Sequence, residues 1–479
     1  MNIRRRVITA LQWSAAARFL GQAVSWIITI WVIRLLSPAD YGLMAMATVL
    51  VSLLVLLNTW GLDAVLVQHR SLPATARQQI FGTIILLNMA CFAAIWMLAD
   101  PIAAFYEEPG LAPILRVLAL QFPMLVFETL PLTALEQALD FARRSVVDFL
   151  AMLAGSLVTL VLALLDQGVW ALVWGTVCVT GVRVLGLNWI VRSWIAPRFN
   201  LRGLGPQLRF GNLVSLDRGL WFLFAESDKF IGGKVLGSQG LGFYAVANQI
   251  ASLPIQKITG LLNAIAFPAF SEAHASESRE QVRRYLLTAS RTLAIVAFPV
   301  FFGLAAVAEP LVALLLGDKW LPAAPLLLLL GLIMPLRLLA NLFPPLLWGI
   351  GKPGISAGNF AVAAISMPIA FIVGAQFGPI GLAWAWLAMY PLVFAWTAGR
   401  TVAHVGVGLR TYLASFARSA GAAVVMFATV IWLQGELEGQ LFHWQVLAGS
   451  IGIGVVVYGL AIWLWDRATL RRVLGLLRR

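Results

Sequence analysis

The residues of this chain that could do chemistry are charged side chains set inside long apolar runs. Arg18, Lys257 and Arg337 each fall within such a run. Gln22 follows Arg18, and Asn341 follows Arg337, at the spacing of one helical turn, so each pair shares a helix face. Charges in such places are costly unless they are paired or used. Grouped cations there would line a cavity suited to an anionic substrate, because lysine and arginine bind phosphate, arginine with two parallel hydrogen bonds. Arg18 or Lys257 could instead be neutralised internally by Asp217, Glu128 or Asp228. Those carboxylates, with Arg218, form a second group that reads in two ways. Glu128, Asp217 and Asp228 could exchange protons or other ions and couple them to transport. They could equally serve as ion-pair partners, since Arg218 and Lys229 are immediate neighbours of Asp217 and Asp228 in sequence.

No catalytic set accompanies these residues. The histidines His69, His274, His404 and His443 sit near loops or helix ends. There is no phosphate-binding glycine loop, no dinucleotide motif and no His–Cys metal cluster. Neither a metal nor a cofactor is expected, and the chain does not read as an enzyme. Cys91 and Cys178 lie inside apolar runs without a paired spacing and read as packing residues.

The elements that must position these groups are membrane helices. Of 479 residues, 61% are hydrophobic and 11% charged, against about 25% charged in a soluble domain. Apolar stretches of about 20 residues, the length that spans the hydrocarbon core as a helix, recur along the whole chain. They lack the alternation of a transmembrane barrel. The expectation is an all-α polytopic membrane protein with about fourteen transmembrane helices. The net charge of +13 does not point to nucleic acid, because the basic residues are dispersed over short loops rather than gathered on one face.

Charge placement orients the chain. With the N-terminus inside, the inner loops carry Arg70 and Arg77, Arg143 and Arg144, Arg192 to Arg209, Arg279 to Arg284, Lys352, and Arg400 with Arg410. The outer loops carry Glu107, Glu108, Asp166, Asp318, Glu436 and Glu438. The positive-inside bias therefore predicts both termini in the cytoplasm. No loop is long enough for an extramembrane catalytic domain.

An internal repeat organises the helices. Leu36–Ser37–Pro38–Ala39–Asp40–Tyr41–Gly42 is echoed two hundred positions later by Leu236–Gly237–Ser238–Gln239–Gly240–Leu241–Gly242, and Leu62–Asp63–Ala64–Val65 by Leu262–Asn263–Ala264–Ile265. An even number of spans between the copies makes this a parallel repeat, a pattern found in transporters with the substrate between the halves. The expected organisation is a six-helix half over 1–200, a second over 201–405, and two further helices with a basic tail over 406–479.

Four stretches carry a family likeness: Val32–Ile33–Arg34–Leu35–Leu36–Ser37–Pro38–Ala39–Asp40–Tyr41–Gly42; Asp228–Lys229–Phe230–Ile231 through to Gly242–Phe243–Tyr244; Phe267–Pro268–Ala269–Phe270–Ser271; and Leu316–Gly317–Asp318–Lys319–Trp320. In order and spacing they resemble the Wzx-type polysaccharide flippases, in the superfamily that also holds the multidrug and toxin extrusion transporters. The resemblance implies alternating-access movement of undecaprenyl-pyrophosphate-linked oligosaccharide units across a bacterial cytoplasmic (inner) membrane, for capsule, exopolysaccharide or O-antigen. It implies the lipid bilayer, a polysaccharide polymerase and export components as partners. Trp26, Trp31, Trp221 and Phe224 are candidates to stack on sugar rings. The alternative is an ion-coupled multidrug or cation antiporter, which would favour an acidic cavity.

Overall fold

The structure is a computed structural model that describes residues 25–68, 72–138, 140–200, 205–275, 279–437 and 442–465. Among the described residues every regular element is helical, as the unbroken apolar runs require of backbone that finds no water in a bilayer. Eleven helical stretches are long and apolar enough to cross a membrane, and Ser25–Leu35 (α1) is a shorter apolar helix. The chain is a multi-pass membrane protein.

Two compact units form. The first comprises Met1–Phe222 together with the short segment Gly237–Gly242. It contains α1, α2 (Pro38–Leu57), α3 (Leu62–Gln68), α4 (Ala74–Tyr106), α5 (Leu111–Ala119), α6 (Gln121–Gln137), α7 (Phe141–Leu164) and α8 (Val169–Ile190). Helices α6, α7 and α8 pack on one another, and α4 packs on α5 and α6. A core of Leu62, Val65, Leu66, Ile80, Phe81, Ile84, Val126 and Leu130 joins α3, α4 and α6.

Between α8 and the helices of the second unit runs α9 (Gly205–Ala275), which is two helices rather than one: Gly237 interrupts it at φ 67° and ψ −175°. A side chain disfavours that backbone geometry, and glycine adopts it freely. The consequence is a hairpin. Asp228 and Tyr244 would be about 24 Å apart along a straight helix, yet their side chains are hydrogen bonded.

The second unit comprises Leu223–Leu236 and Phe243–Arg479. Beyond its share of α9, its helices are α10 (Arg279–Ala306), α11 (Ala308–Leu315), α12 (Ala324–Ala340), α13 (Phe343–Gly349), α14 (Pro353–Ala375), α15 (Gly378–Ala403), α16 (Leu409–Leu437) and α17 (His443–Trp465). Here α12 packs between α10 and α15, α14 packs on α15, and α16 packs on α10 and α17.

The repeat seen in the sequence meets itself in the first unit. At the start of α2, Ser37 and Asp40 form a capping box in which each satisfies the other's backbone N–H, and Pro38 in the first turn has no N–H to satisfy. The second copy, at the start of the second arm of α9, is capped by Glu108, whose Oε1 accepts from the Ser238 N–H at 2.9 Å. A Cβ built on Gly42 would overlap the carbonyl of Ser238, and one built on Gly242 would overlap the carbonyl of Pro38. Pro38 and Ser238, like Gly42 and Gly242, are equivalent positions of the repeat. The contact is therefore reciprocal, and it lies within the first unit, to which Gly237–Gly242 belongs.

Candidate functional site

In the second unit the hairpin in α9 brings a carboxylate into a ring of aromatic residues. Asp228, on the first arm, is fully buried. Its Oδ2 accepts from Tyr244 Oη at 2.6 Å and from Trp386 Nε1 at 3.2 Å. Its Oδ1 accepts from the Lys229 N–H at 2.7 Å. Trp386 Nε1 also lies 2.8 Å from Tyr244 Oη, so three side chains from both arms of α9 and from α15 form a closed set. Burying a carboxylate is expensive unless its lone pairs are met, and here neutral donors meet them.

Around this set the aromatic packing is dense. Trp386 lies against Phe224, Phe371 and Tyr390, with centroids 5.8, 5.1 and 5.6 Å away. Phe224 stacks on Tyr390 at 5.9 Å. Over the Trp386 ring, 4.2 Å from its centroid, sits the guanidinium of Arg337, in the last turn of α12. No ion pair joins Arg337 to a carboxylate among the described residues, and it makes a weak contact to Met334 Sδ at 3.9 Å. Arg337 is thus a half-buried cation held by an indole face, an arrangement that fixes the fork while leaving its donors available. Such a guanidinium can receive a phosphate oxygen, while the rings beneath it are buried and serve to position it.

The first unit holds a different construction, a ladder of alternating charge across α6, α7 and α8. Glu136 Oε1 accepts from Arg144 Nη1 at 2.6 Å. Arg144 Nε lies 3.6 Å from Asp148 Oδ2, Asp148 Oδ1 lies 2.9 Å from Arg183 Nε, and Arg183 Nη1 lies 3.1 Å from Glu128 Oε1. One turn further along α8, Thr180 donates to Gln121 of α6 at 3.1 Å.

The residues singled out from the sequence fall in several places. Arg337 joins the aromatic site, as do Asp228 and Phe224. Asn341 caps the end of α12. Glu128 ends the ladder. Arg218 makes a two-pronged contact with Asp63, at 3.1 and 3.3 Å, and Thr59 supports Asp63 at 2.9 Å. Arg18 and Gln22 lie outside the described residues, and so do the side chains of Asp217 and Lys257. Lys229 pairs with Glu226 at 2.6 Å rather than with Asp228. Trp26, Trp31 and Trp221 are exposed, at 41, 56 and 46%, and take no part in the aromatic site.

Sequence reasoning meets Tyr244 only as the end of a family-like stretch, with no role, and does not single out Trp386 or Tyr390, because aromatic residues are plentiful in the apolar runs here and carry no individual mark. It also passes over Asp148 and the partner role of Arg183. Asp148 has a signal, its spacing of one turn from Arg144 on the same helix.

A sequence profile described as polysaccharide biosynthesis protein matches residues 31–325. The chain is 27% identical over 456 residues to the succinoglycan biosynthesis transport protein ExoT of Rhizobium meliloti (strain 1021), covering 93% of this chain and 90% of that one. It is 25% identical over 445 residues to the lipopolysaccharide biosynthesis protein WzxC of Escherichia coli (strain K12), covering 91% and 90%. Among solved structures it superposes on the lipid II flippase MurJ in an inward closed conformation with a TM-score of 0.75 at 14% identity, covering 96% of this chain and 99% of that one. An inward-facing multidrug resistance transporter of the MATE family gives 0.61 at 17% identity, covering 79% and 93%. These two likenesses describe a shared fold.

Proposed function

From the premise that this chain belongs to the polysaccharide biosynthesis protein family, we propose that it flips lipid-linked oligosaccharide units across the bacterial cytoplasmic membrane by alternating access. The carrier lipid is undecaprenyl pyrophosphate, and the units feed a surface polysaccharide. Both termini lie in the cytoplasm, where the basic loops and tail fall. A polymerase and export components are the downstream partners.

The observation that carries this reading is Arg337. A guanidinium free of carboxylate partners among the described residues, held over Trp386 inside a membrane protein, needs an anion to complete it. The pyrophosphate supplies that anion. A cation-extruding antiporter would instead want an open carboxylate. Asp228 is closed off by its own donors and has Arg337 beside the same indole.

The reciprocal contact of Gly42 and Gly242 supports the alternating part of the proposal. It lies beside the outer loop that bears Glu108, and two backbones at that separation leave no passage. Outward opening then requires Gly237–Gly242 to leave α2.

The test is deletion of the gene in its host, with lipid-linked oligosaccharide and surface polymer both quantified. Accumulated lipid-linked units with lost polymer, restored by the wild-type gene and not by Arg337→Ala, support the flippase. Unchanged polymer with altered sensitivity to cationic drugs overturns it.

A further inference from the structure

The charge ladder of the first unit is not used by the substrate site, and its composition is unbalanced. Glu136, Asp148 and Glu128 carry three carboxylates, whereas Arg144 and Arg183 carry two guanidiniums. Arginine stays protonated in proteins, so the ladder holds one negative charge more than it can neutralise. A set of fixed ion pairs between membrane helices would be expected to balance, because each uncompensated charge there is costly.

The excess has a definite location. Four members keep between 28 and 40% of their side-chain surface, so the ladder is open along its length, while the Glu128 side chain keeps 9%. One oxygen of Glu128 takes Arg183; the other, Oε2, is buried and has no hydrogen-bond partner. That is a place where a proton fits and where a bare carboxylate oxygen is poorly met. The ladder runs from Glu136, at the cytoplasmic end of α6, toward Glu128, roughly 12 Å deeper along the same helix. The polar line then ends at Gln121 and Thr180, which bond to each other.

The charged groups on the helices packed around Glu128 are few. From α8 comes Arg183; from α7 come Asp148, Arg144 and, in its first turn, Arg143, which is paired with Asp140 at the start of that helix; α6 itself supplies Glu136. On α3, Asp63 is engaged by Arg218. On α4, Arg77 and Asp100 stand near the two ends, and Asp100 is paired with Arg116 of α5.

We propose that Glu128 is a proton-binding site, exchanging its proton with the cytoplasmic side along the ladder, and that this proton is coupled to the transport cycle. A hydronium ion gives one proton to Glu128 Oε2 and leaves as water, the ladder passes from one net negative charge to neutrality, and no bond between heavy atoms changes. Arg144 and Arg183 hold the carboxylates in line and do not themselves carry the proton. The coupling part rests on the flippase reading; the proton-binding part does not.

The experiment uses the full-length protein in phospholipid nanodiscs, titrated with pH and followed by infrared difference spectroscopy. The expected result is a protonated-carboxyl carbonyl band that is lost in Glu128→Gln and kept in Asp228→Asn. Glu128→Gln retains an acceptor oxygen for Arg183, so a purely structural ladder tolerates it. If the variant does not fold, wild-type protein carrying heavy-carbon carboxyl labels replaces it. A band shifted by labelled glutamate and surviving Glu136→Gln supports the assignment; one shifted by labelled aspartate overturns it. A band unchanged in Glu128→Gln also overturns it, whatever the protein transports. In the host, Glu128→Gln at wild-type abundance is expected to lose surface polymer. Full export by that variant overturns the coupling while leaving the flippase reading intact.

Discussion

Gly42 and Gly242 are equivalent positions of an internal repeat, and each lies against the backbone of the other copy: Gly42 against the carbonyl of Ser238, Gly242 against that of Pro38. A sequence repeat of this kind has become a physical contact, with small residues allowing two helix starts to approach to backbone distance, as at other membrane-helix interfaces.

Enlarging either glycine should force that contact apart. Gly42→Ala is expected to destabilise the closed arrangement by about 1–3 kcal/mol, the usual cost of overpacking. The check is labelling of Ser238→Cys from outside with a membrane-impermeant maleimide, which should rise when Gly42→Ala is added. Unchanged labelling would mean that the contact is not a gate.

Arg337 should be intolerant of both truncation and charge-conserving exchange. Loss of hydrogen bonds from a charged donor is worth roughly 1.5–3 kcal/mol, or about 10-fold to 100-fold in affinity. Arg337→Ala should therefore abolish complementation of surface polymer. Arg337→Lys should restore only part of it, since an ammonium neither lies flat on Trp386 nor offers a fork. Full activity of the lysine variant would show that charge alone suffices.

The donors around Asp228 should behave as one unit. Tyr244→Phe and Trp386→Phe each remove a donor from a buried carboxylate, at roughly 1–3 kcal/mol apiece. Because both act on Oδ2, the double variant should differ from the sum of the singles. Thermal unfolding of the purified protein in detergent reads this directly, and strict additivity would break the proposed set into independent contacts.

The pair between Arg218 and Asp63 makes a useful contrast. Its partners keep 36 and 34% of their side-chain surface, and pairs open to solvent are worth about 0–1 kcal/mol. Asp63→Asn is expected to change thermal stability little, even though its geometry is two-pronged. A large loss would mean that the pair is sealed in the membrane.

Part of the candidate site is legible in the residue pattern alone. Arg337 and Glu128 stand out as charges in apolar runs; Arg337 lies on the Trp386 ring and Glu128 at the end of the charge ladder. Their partners do not stand out. Asp228 and Lys229 look like an ion pair because they are adjacent, but neighbours on a helix point about 100° apart, so Lys229 meets Glu226 one turn back and Asp228 turns to Tyr244. Three of the four aromatic residues nominated for sugar stacking, Trp26, Trp31 and Trp221, are exposed, whereas Trp386, one of many tryptophans in the chain, is fully buried. Burial of an individual aromatic residue depends on which helix covers it.

The sequence by itself determined that this is a helical membrane protein, because a bilayer leaves an apolar chain without barrel alternation only that way to satisfy its backbone. It also determined the repeat and, through order and spacing, the family. Tertiary structure alone decided which charges meet. Gly237 folds α9 back on itself so that residues sixteen positions apart share one hydrogen bond, and α6, α7 and α8 align five charges from separate stretches into one ladder. Electrostatic pairing falls off over a few ångströms. It is therefore set by distances between helices, and no pattern along a single helix records those distances.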